Sequence, residues 1–256
     1  MDKDRIKKDF PFFKNENYKP YRLICFHHAG GTAAVFRNWL KTDPMTEMLP
    51  IEVRGSGIRS DETDNIDFED AAKYAAESIA EIYDGRDTYI YGHSLGSIFA
   101  FDAVCRLKKE YGIEIKKLIA AGRHAPFAED TSSYRCSMGI EALKDELLRV
   151  GGTPKELLES DSFCRLMLPS IYADYKLGES YCYNGERVDI PIIALSGKND
   201  KDADERIMSE WKKCTNSRFS LYSFEGGHFF PYNESEKAVL SVIFDELYGE
   251  KKAIVA

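Results

Sequence analysis

No stretch of this 256-residue chain is apolar for the roughly 20 residues a membrane span needs. The opening segment, Met1 to Asp9, is charged and has no apolar core, so no secretory leader is expected, and a cytoplasmic location is the expectation. The cysteines are few and scattered: Cys25, Cys105, Cys136, Cys164, Cys182 and Cys214 form no Cys-x-x-Cys pair and no metal-ligand spacing. That spacing gives no zinc-ribbon or redox motif; the even count permits disulfides, but a cytosolic chain of this size does not need them, and reduced, mostly buried thiols are expected. Positive charge is also in deficit. The net charge of −8 argues against nucleic acid and anionic membranes as partners. No internal repeat or low-complexity segment appears.

What is present is a rhythm of short apolar strands and amphipathic helices. Arg22–His27, Ile51–Arg54, Thr88–Tyr91, Lys117–Gly122, Ile190–Ser196 and Phe219–Phe224 read as strands. Helices are expected near Ala33–Lys41, after an Asp67 N-cap with Phe68, Ala71, Ala72, Ala75, Ile79 and Ile82 on one face, over Ala203–Lys213, and over Glu234–Tyr248. Gly55-Ser56-Gly57 ends the second strand, and Lys251–Ala256 reads as a loose tail. Alternating β and α with apolar strands predicts an α/β fold, a mostly parallel sheet covered on both faces. The rhythm breaks between Phe127 and Tyr183. There Ser137–Val150 has helical spacing up to Gly151-Gly152, and Asp161–Leu177 reads as a helix pair broken by Pro169. The expected organisation is one domain over 1–256, with 127–183 a helical lid inserted over the C-terminal edge of the sheet, where ligands bind in such folds.

The chemistry centres on Gly92-His93-Ser94-Leu95-Gly96, placed between an apolar strand and an apolar helix. A Gly-x-Ser-x-Gly turn in that context is a nucleophile elbow. Side chains at the two glycines would collide with neighbouring backbone, and the first N–H groups of the helix point at the reacting centre. A serine nucleophile needs a base and a group to orient it. His228, in the glycine-rich loop after the last strand, is the only histidine beyond the insertion. Asp200, at the end of the preceding strand, ranks first as the acid, with Asp202 its rival. The oxyanion donors expected are the N–H groups of Leu95 and of Ala29, in the loop after the first strand. His27, His28, His93 and His124 read as packing or loop residues.

These residues carry a resemblance. His28-Ala29-Gly30-Gly31, the elbow with Phe99, Gly122-Arg123-His124-Ala125-Pro126, Leu148-Arg149-Val150-Gly151-Gly152-Thr153-Pro154, Asp174-Tyr175 with Tyr181 and Tyr183, and Gly226-Gly227-His228-Phe229-Phe230 are together similar to the stand-alone (type II) thioesterases of nonribosomal peptide and polyketide synthetases. The chain departs from that pattern at Val53-Arg54-Gly55-Ser56-Gly57-Ile58-Arg59 and at Ile171-Tyr172-Ala173-Asp174. The resemblance implies an α/β-hydrolase fold and hydrolysis of acyl or aminoacyl thioesters on the phosphopantetheine arm of carrier domains. It implies no metal and no resident cofactor, because the pantetheine belongs to the partner. A monomer is expected. Lys155 with Arg165, or Arg54 with Arg59, are candidate docking charges. The competing readings are a product-releasing thioesterase, a general small-ester carboxylesterase and a non-catalytic hydrolase-like module.

Overall fold

The computed structural model describes residues 3–14, 19–55, 59, 62, 66–130 and 132–252. Of the sequence expectations, Ser56 and Gly57 in the turn and Ala253–Ala256 in the tail lie outside these residues. In chain order the elements are α1 (Lys3–Asp9), β1 (Tyr21–Phe26), β2 (Thr46–Ile51), α2 (Phe68–Ile82), β3 (Asp87–His93), α3 (Leu95–Tyr111), β4 (Leu118–Ala121), α4 (Ile140–Val150), α5 (Lys155–Leu158), α6 (Asp161–Glu179), β5 (Ile192–Gly197), α7 (Glu205–Met208), β6 (Phe219–Phe224) and α8 (Glu236–Lys252).

The six strands form one sheet in the order β2-β1-β3-β4-β5-β6, every pairing parallel. Alternation along each strand feeds two apolar layers. Ile24, Phe26, Ile90, Leu118, Ala120, Ile192 and Ala194 pack on the face covered by α2 and α3. Leu23, Cys25, Tyr89, Tyr91, Ile119, Ile193 and Leu195 pack on the opposite face, against Val239, Leu240, Ile243 and Leu247 of α8. Both faces are therefore buried, which is why the strands read as continuous apolar runs. The order reverses between β1 and β3, and the crevice at their carboxyl ends is where a ligand fits such a sheet. No helix of the described residues is long and apolar enough to cross a membrane.

Several local readings needed correction. The helix expected over Ala33–Lys41 is two 3₁₀ turns, Ala33–Phe36 and Trp39–Lys41. The buried residues Ala33, Phe36 and Trp39 recur every three positions, which matches the 3₁₀ period rather than 3.6. The strand expected at Ile51–Arg54 lies earlier, at Thr46–Ile51, and contains Pro50; β2 is an edge strand, where a missing N–H is tolerated. The helix expected over Ala203–Lys213 is one short α-helical turn, α7, continued by a 3₁₀ segment. Pro169 does not break α6, which runs through it. The proline sits on the exposed side while Leu168, Ile171, Asp174 and Leu177 bury the other, so the carbonyl it deprives of a partner faces water.

Asp67 caps α2 by accepting the Asp70 N–H at 2.9 Å. Arg59 is not the surface charge proposed for docking. Its side chain is only 3% exposed, and it bonds Asp9 Oδ1 at 2.6 Å and Glu62 at 2.5 Å. Arg54 is likewise paired with Glu62. Ser78 Oγ donates to the other oxygen of Asp9 at 2.7 Å, so this buried carboxylate ties α1 to α2. Removing the guanidinium leaves a buried charge short of its counter-ion, a change worth several kcal/mol. Arg59→Ala is expected to lower stability by about 3 kcal/mol in urea unfolding; a loss under about 0.5 kcal/mol would show that Ser78, with Arg5 Nε 3.6 Å from the carboxylate, suffices to hold Asp9.

Candidate active site

β3 ends at His93 and α3 begins at Leu95, so Ser94 alone joins strand to helix. Its backbone lies at φ 54° and ψ −122°, the only positive φ outside glycine among the described residues. That conformation costs about 1–3 kcal/mol and survives only where its surroundings over-determine it. The glycines leave the turn no room to relax. A Cβ on Gly92 would fall within the Gly96 carbonyl group, and one on Gly96 would fall against the Phe26 and His27 carbonyls at the end of β1. Hydrogen bonds complete the clamp. The Ser94 N–H donates to the Ala121 carbonyl at 2.8 Å. Ser97 Oγ lies 2.9 Å from the Gly92 carbonyl and 3.0 Å from that of Ala121, and accepts the Ala121 N–H at 3.1 Å.

The loops after β5 and β6 carry the other two groups. Backbone bonds stitch them together: Lys198 N–H to the Phe224 carbonyl at 2.8 Å, and Asn199 N–H to that of Gly226 at 3.0 Å. Between them His228 Nδ1 lies 2.8 Å from Asp200 Oδ2. A carboxylate accepts, so Nδ1 carries the proton and Nε2 is left as the basic nitrogen. Asp200 is 4% exposed, and its Oδ1 accepts the Asp202 N–H at 3.1 Å. Asp202, the rival acid, is otherwise engaged: Arg149 of α4 holds both its oxygens, at 3.1 and 2.6 Å. Ser94, His228, Ala29 and Leu95 line one cleft together with Asp174 and Asp202. Among the described residues Ser94 Oγ makes no hydrogen bond to the His228 ring.

His93 does more than pack. Its Nε2 lies 2.9 Å from the His228 carbonyl, so it donates there and ties the elbow to the histidine loop. Burial pushes His93 well below the usual histidine range and His27 down to about 4, so both rings stay neutral. His27 Nδ1 donates to the His28 carbonyl at 2.9 Å, next to the Ala29 N–H. No group of three or more metal-ligating side chains with suitable placement occurs among the described residues.

The chain has relatives. The model of the thioesterase domain family matches residues 21–247. The chain belongs to the thioesterase family. The thioesterase PikA5 of Streptomyces venezuelae is 30% identical over 229 residues, covering 88% of this chain and 80% of that one. Among solved structures, the type II thioesterase BorB from the borrelidin biosynthetic cluster superposes with a TM-score of 0.78 at 28% identity, covering 89% and 92% of the two chains. RedJ, the thioesterase of the prodiginine pathway in Streptomyces coelicolor, gives a TM-score of 0.81 at 24% identity over 91% of each chain. This thioesterase therefore has the α/β-hydrolase fold and is a thioester hydrolase.

Sequence reasoning paired no partner with Arg149 or Asp174. Asp174 had a legible signal: it stands in the Leu168, Ile171, Leu177 stripe, where helical spacing calls for an apolar side chain. Arg149 had none, because its partner Asp202 is 53 residues away. The tightness of the elbow generates a direct test. Gly92→Ala is expected to cost the thioesterase more than about 4 kcal/mol of stability, since backbone must move. Gly227→Ala, where an added Cβ meets nothing within 4 Å, should stay within about 1 kcal/mol. Equal losses in thermal melts would show that the elbow has slack.

Proposed function

We propose that this thioesterase clears acyl or aminoacyl groups from the phosphopantetheine arm of carrier domains, restoring stalled nonribosomal peptide or polyketide synthetase modules. Ser94 attacks the thioester carbonyl while His228 Nε2 takes its proton, and Asp200 holds the imidazole tautomer and stabilises the imidazolium. The tetrahedral oxyanion rests on the N–H groups of Ala29 and Leu95. The thiolate leaves readily, since a thiol pKa of about 8.5 lies far below that of an alcohol. His228 returns its proton to the departing sulfur, then activates a water that cleaves the acyl–Ser94 ester.

The observation that carries this reading is the 2.8 Å bond from His228 Nδ1 to Asp200, made in the same cleft wall as a serine held at positive φ. The engagement of Asp202 by Arg149 favours Asp200 as the acid. Contacts of α4 and α6 with loops at the carboxyl ends of the strands, Arg149 with Asp202 and Asp174 with the Gly30 N–H, support reading residues 127–183 as a lid within one α/β-hydrolase domain spanning 1–256. The lid has a small apolar centre of its own, Leu143, Leu147, Leu158, Leu168 and Ile171, as a movable cover requires. The enzyme acts as a cytoplasmic monomer, needs no resident cofactor, and meets the pantetheine as part of its substrate.

Acetyl-carrier protein followed by mass spectrometry tests the reading. The wild type should strip the carrier faster than it cleaves a matched free oxygen ester, and Ser94→Ala should abolish turnover. Asp200→Asn should cut kcat by about 10⁴-fold, the scale of losing the orienting acid, while Asp202→Asn should cost under about 10-fold. Equal losses at the two aspartates would overturn the assignment of the acid. An untouched carrier beside fast ester cleavage would move the activity to a general esterase.

A further inference from the structure

The loop that offers the Ala29 N–H is held from two sides, and one side is the helical insertion. The His28 carbonyl accepts His27 Nδ1–H at 2.9 Å and the Gly31 N–H at 3.0 Å. Because a peptide unit is planar, those bonds also fix the direction of the Ala29 N–H. The next peptide is held as firmly. Its carbonyl, that of Ala29, accepts His28 Nδ1–H at 2.9 Å, and its N–H, that of Gly30, donates to Asp174 Oδ2 at 2.6 Å. Asp174 belongs to α6, is 144 residues away in sequence, and is 3% exposed.

A carboxylate at that position is costly. It interrupts an apolar stripe and is stripped of water, so it persists only with strong hydrogen bonds. An N–H donating to a charged oxygen is roughly twice as strong as a neutral pair. The contact is also sterically tight. Gly30 sits at φ +74°, and an added Cβ would lie 2.9 Å from Ile171 Cγ1, one turn before Asp174. One turn after it, a Cβ on Gly178 would lie 3.1 Å from Leu95 Cδ1. Three successive turns of α6 therefore touch both residues flanking the reacting centre: the Ala29–Gly30 loop through Ile171 and Asp174, and Leu95 through Gly178.

We infer that Asp174 is a positioning residue: by accepting the Gly30 N–H it holds the loop that presents the Ala29 N–H, so α6 sets the oxyanion hole as well as covering it. The inference rests on the assignment of Ser94, Ala29 and Leu95 made above. Its consequence is that a seated insertion and a formed oxyanion hole are one state. Displacing α6 removes the acceptor from Gly30 and the packing from Leu95 together, so water entering an open cleft meets a weakened catalyst.

Two variants separate positioning from mere support. Asp174→Asn keeps the volume and one carbonyl oxygen but loses the charge. Asp174→Leu removes the acceptor and completes the apolar stripe, so it folds without a buried charge. Acetyl-carrier protein and a free acetyl thioester serve as substrates, with kcat and KM measured separately. The rate at which a fluorophosphonate labels Ser94 and the melting temperature are read beside them. Loss of a whole oxyanion donor costs about 10²–10³-fold in kcat. Asp174→Leu is expected to lose about 10–100-fold in kcat on both substrates, with KM within about 2-fold. Labelling should fall in parallel and the melting temperature should hold or rise. Asp174→Asn should recover most of the loss.

Wild-type kcat in Asp174→Leu overturns the inference, and so does a raised KM at unchanged kcat, which would make Asp174 a wall of the cleft. Equal losses in both variants that track a fall in melting temperature overturn it as well, in favour of a structural role. Should Asp174→Leu fail to fold, wild-type kcat in Asp174→Asn is the overturning result, and a loss of about 3–10-fold in kcat at unchanged KM the supporting one. A wild type no more active than Ser94→Ala overturns the proposed function itself, and this inference with it, a result told apart by the Ser94 control.

Discussion

At Gly96 the first turn of α3 presses against the Phe26 and His27 carbonyls at the end of β1, with no space for a single carbon between them. Everything around the cleft follows from that approach. It forces the chain to turn within one residue, which puts Ser94 at positive φ. It also brings the loop after β1 beside the start of α3, so Ala29 and Leu95 border the same cleft. The strain is held by bonds the turn does not make itself, chiefly Ser97 and the Ala121 carbonyl at the end of the adjacent β4. A parallel sheet in register supplies those anchors, because neighbouring strands then end at the same height.

A second set of contacts joins the insertion to this frame. Arg149 of α4 holds Asp202, whose own N–H supports Asp200, so the insertion and the carboxylate beside His228 share one network. Asp174 of α6 does the equivalent on the far side of the cleft. Both contacts are charged and reach from the insertion to loops at the carboxyl ends of strands. Beside these polar contacts Leu177 of α6 joins the main apolar core, while the insertion also packs around a small core of its own.

Much of this was legible in the chain. The apolar strands β1, β3, β4, β5 and β6 and the helices α2, α3 and α8 announce themselves by periodicity, because each buries a regular face. The elbow announces itself by two glycines flanking one serine. Legibility failed where local rules compete. Pro169 reads as a break but faces water on α6, and the second strand, expected from Ile51, instead ends there and runs through Pro50 at the sheet edge, where a lost hydrogen bond costs little. The stretch after Thr32 contains helix-forming residues, yet its buried positions recur every three residues.

The sequence by itself singled out the candidate chemistry-bearing groups, since a Gly-x-Ser-x-Gly turn between strand and helix and a single histidine after the insertion are local patterns with fixed offsets. It also determined the sheet-and-helix alternation, which depends only on which side chains avoid water. The tertiary structure alone gave Asp200 and Asp202, two residues apart and equal in type, different surroundings. One meets His228 and the other meets Arg149, and both partners arrive from distant elements. It alone gave Asp174 and His93 their partners as well. A hydrogen bond acts over about 3 Å in space, and no rule of spacing along the chain says which backbone group a folded sheet will bring within that reach.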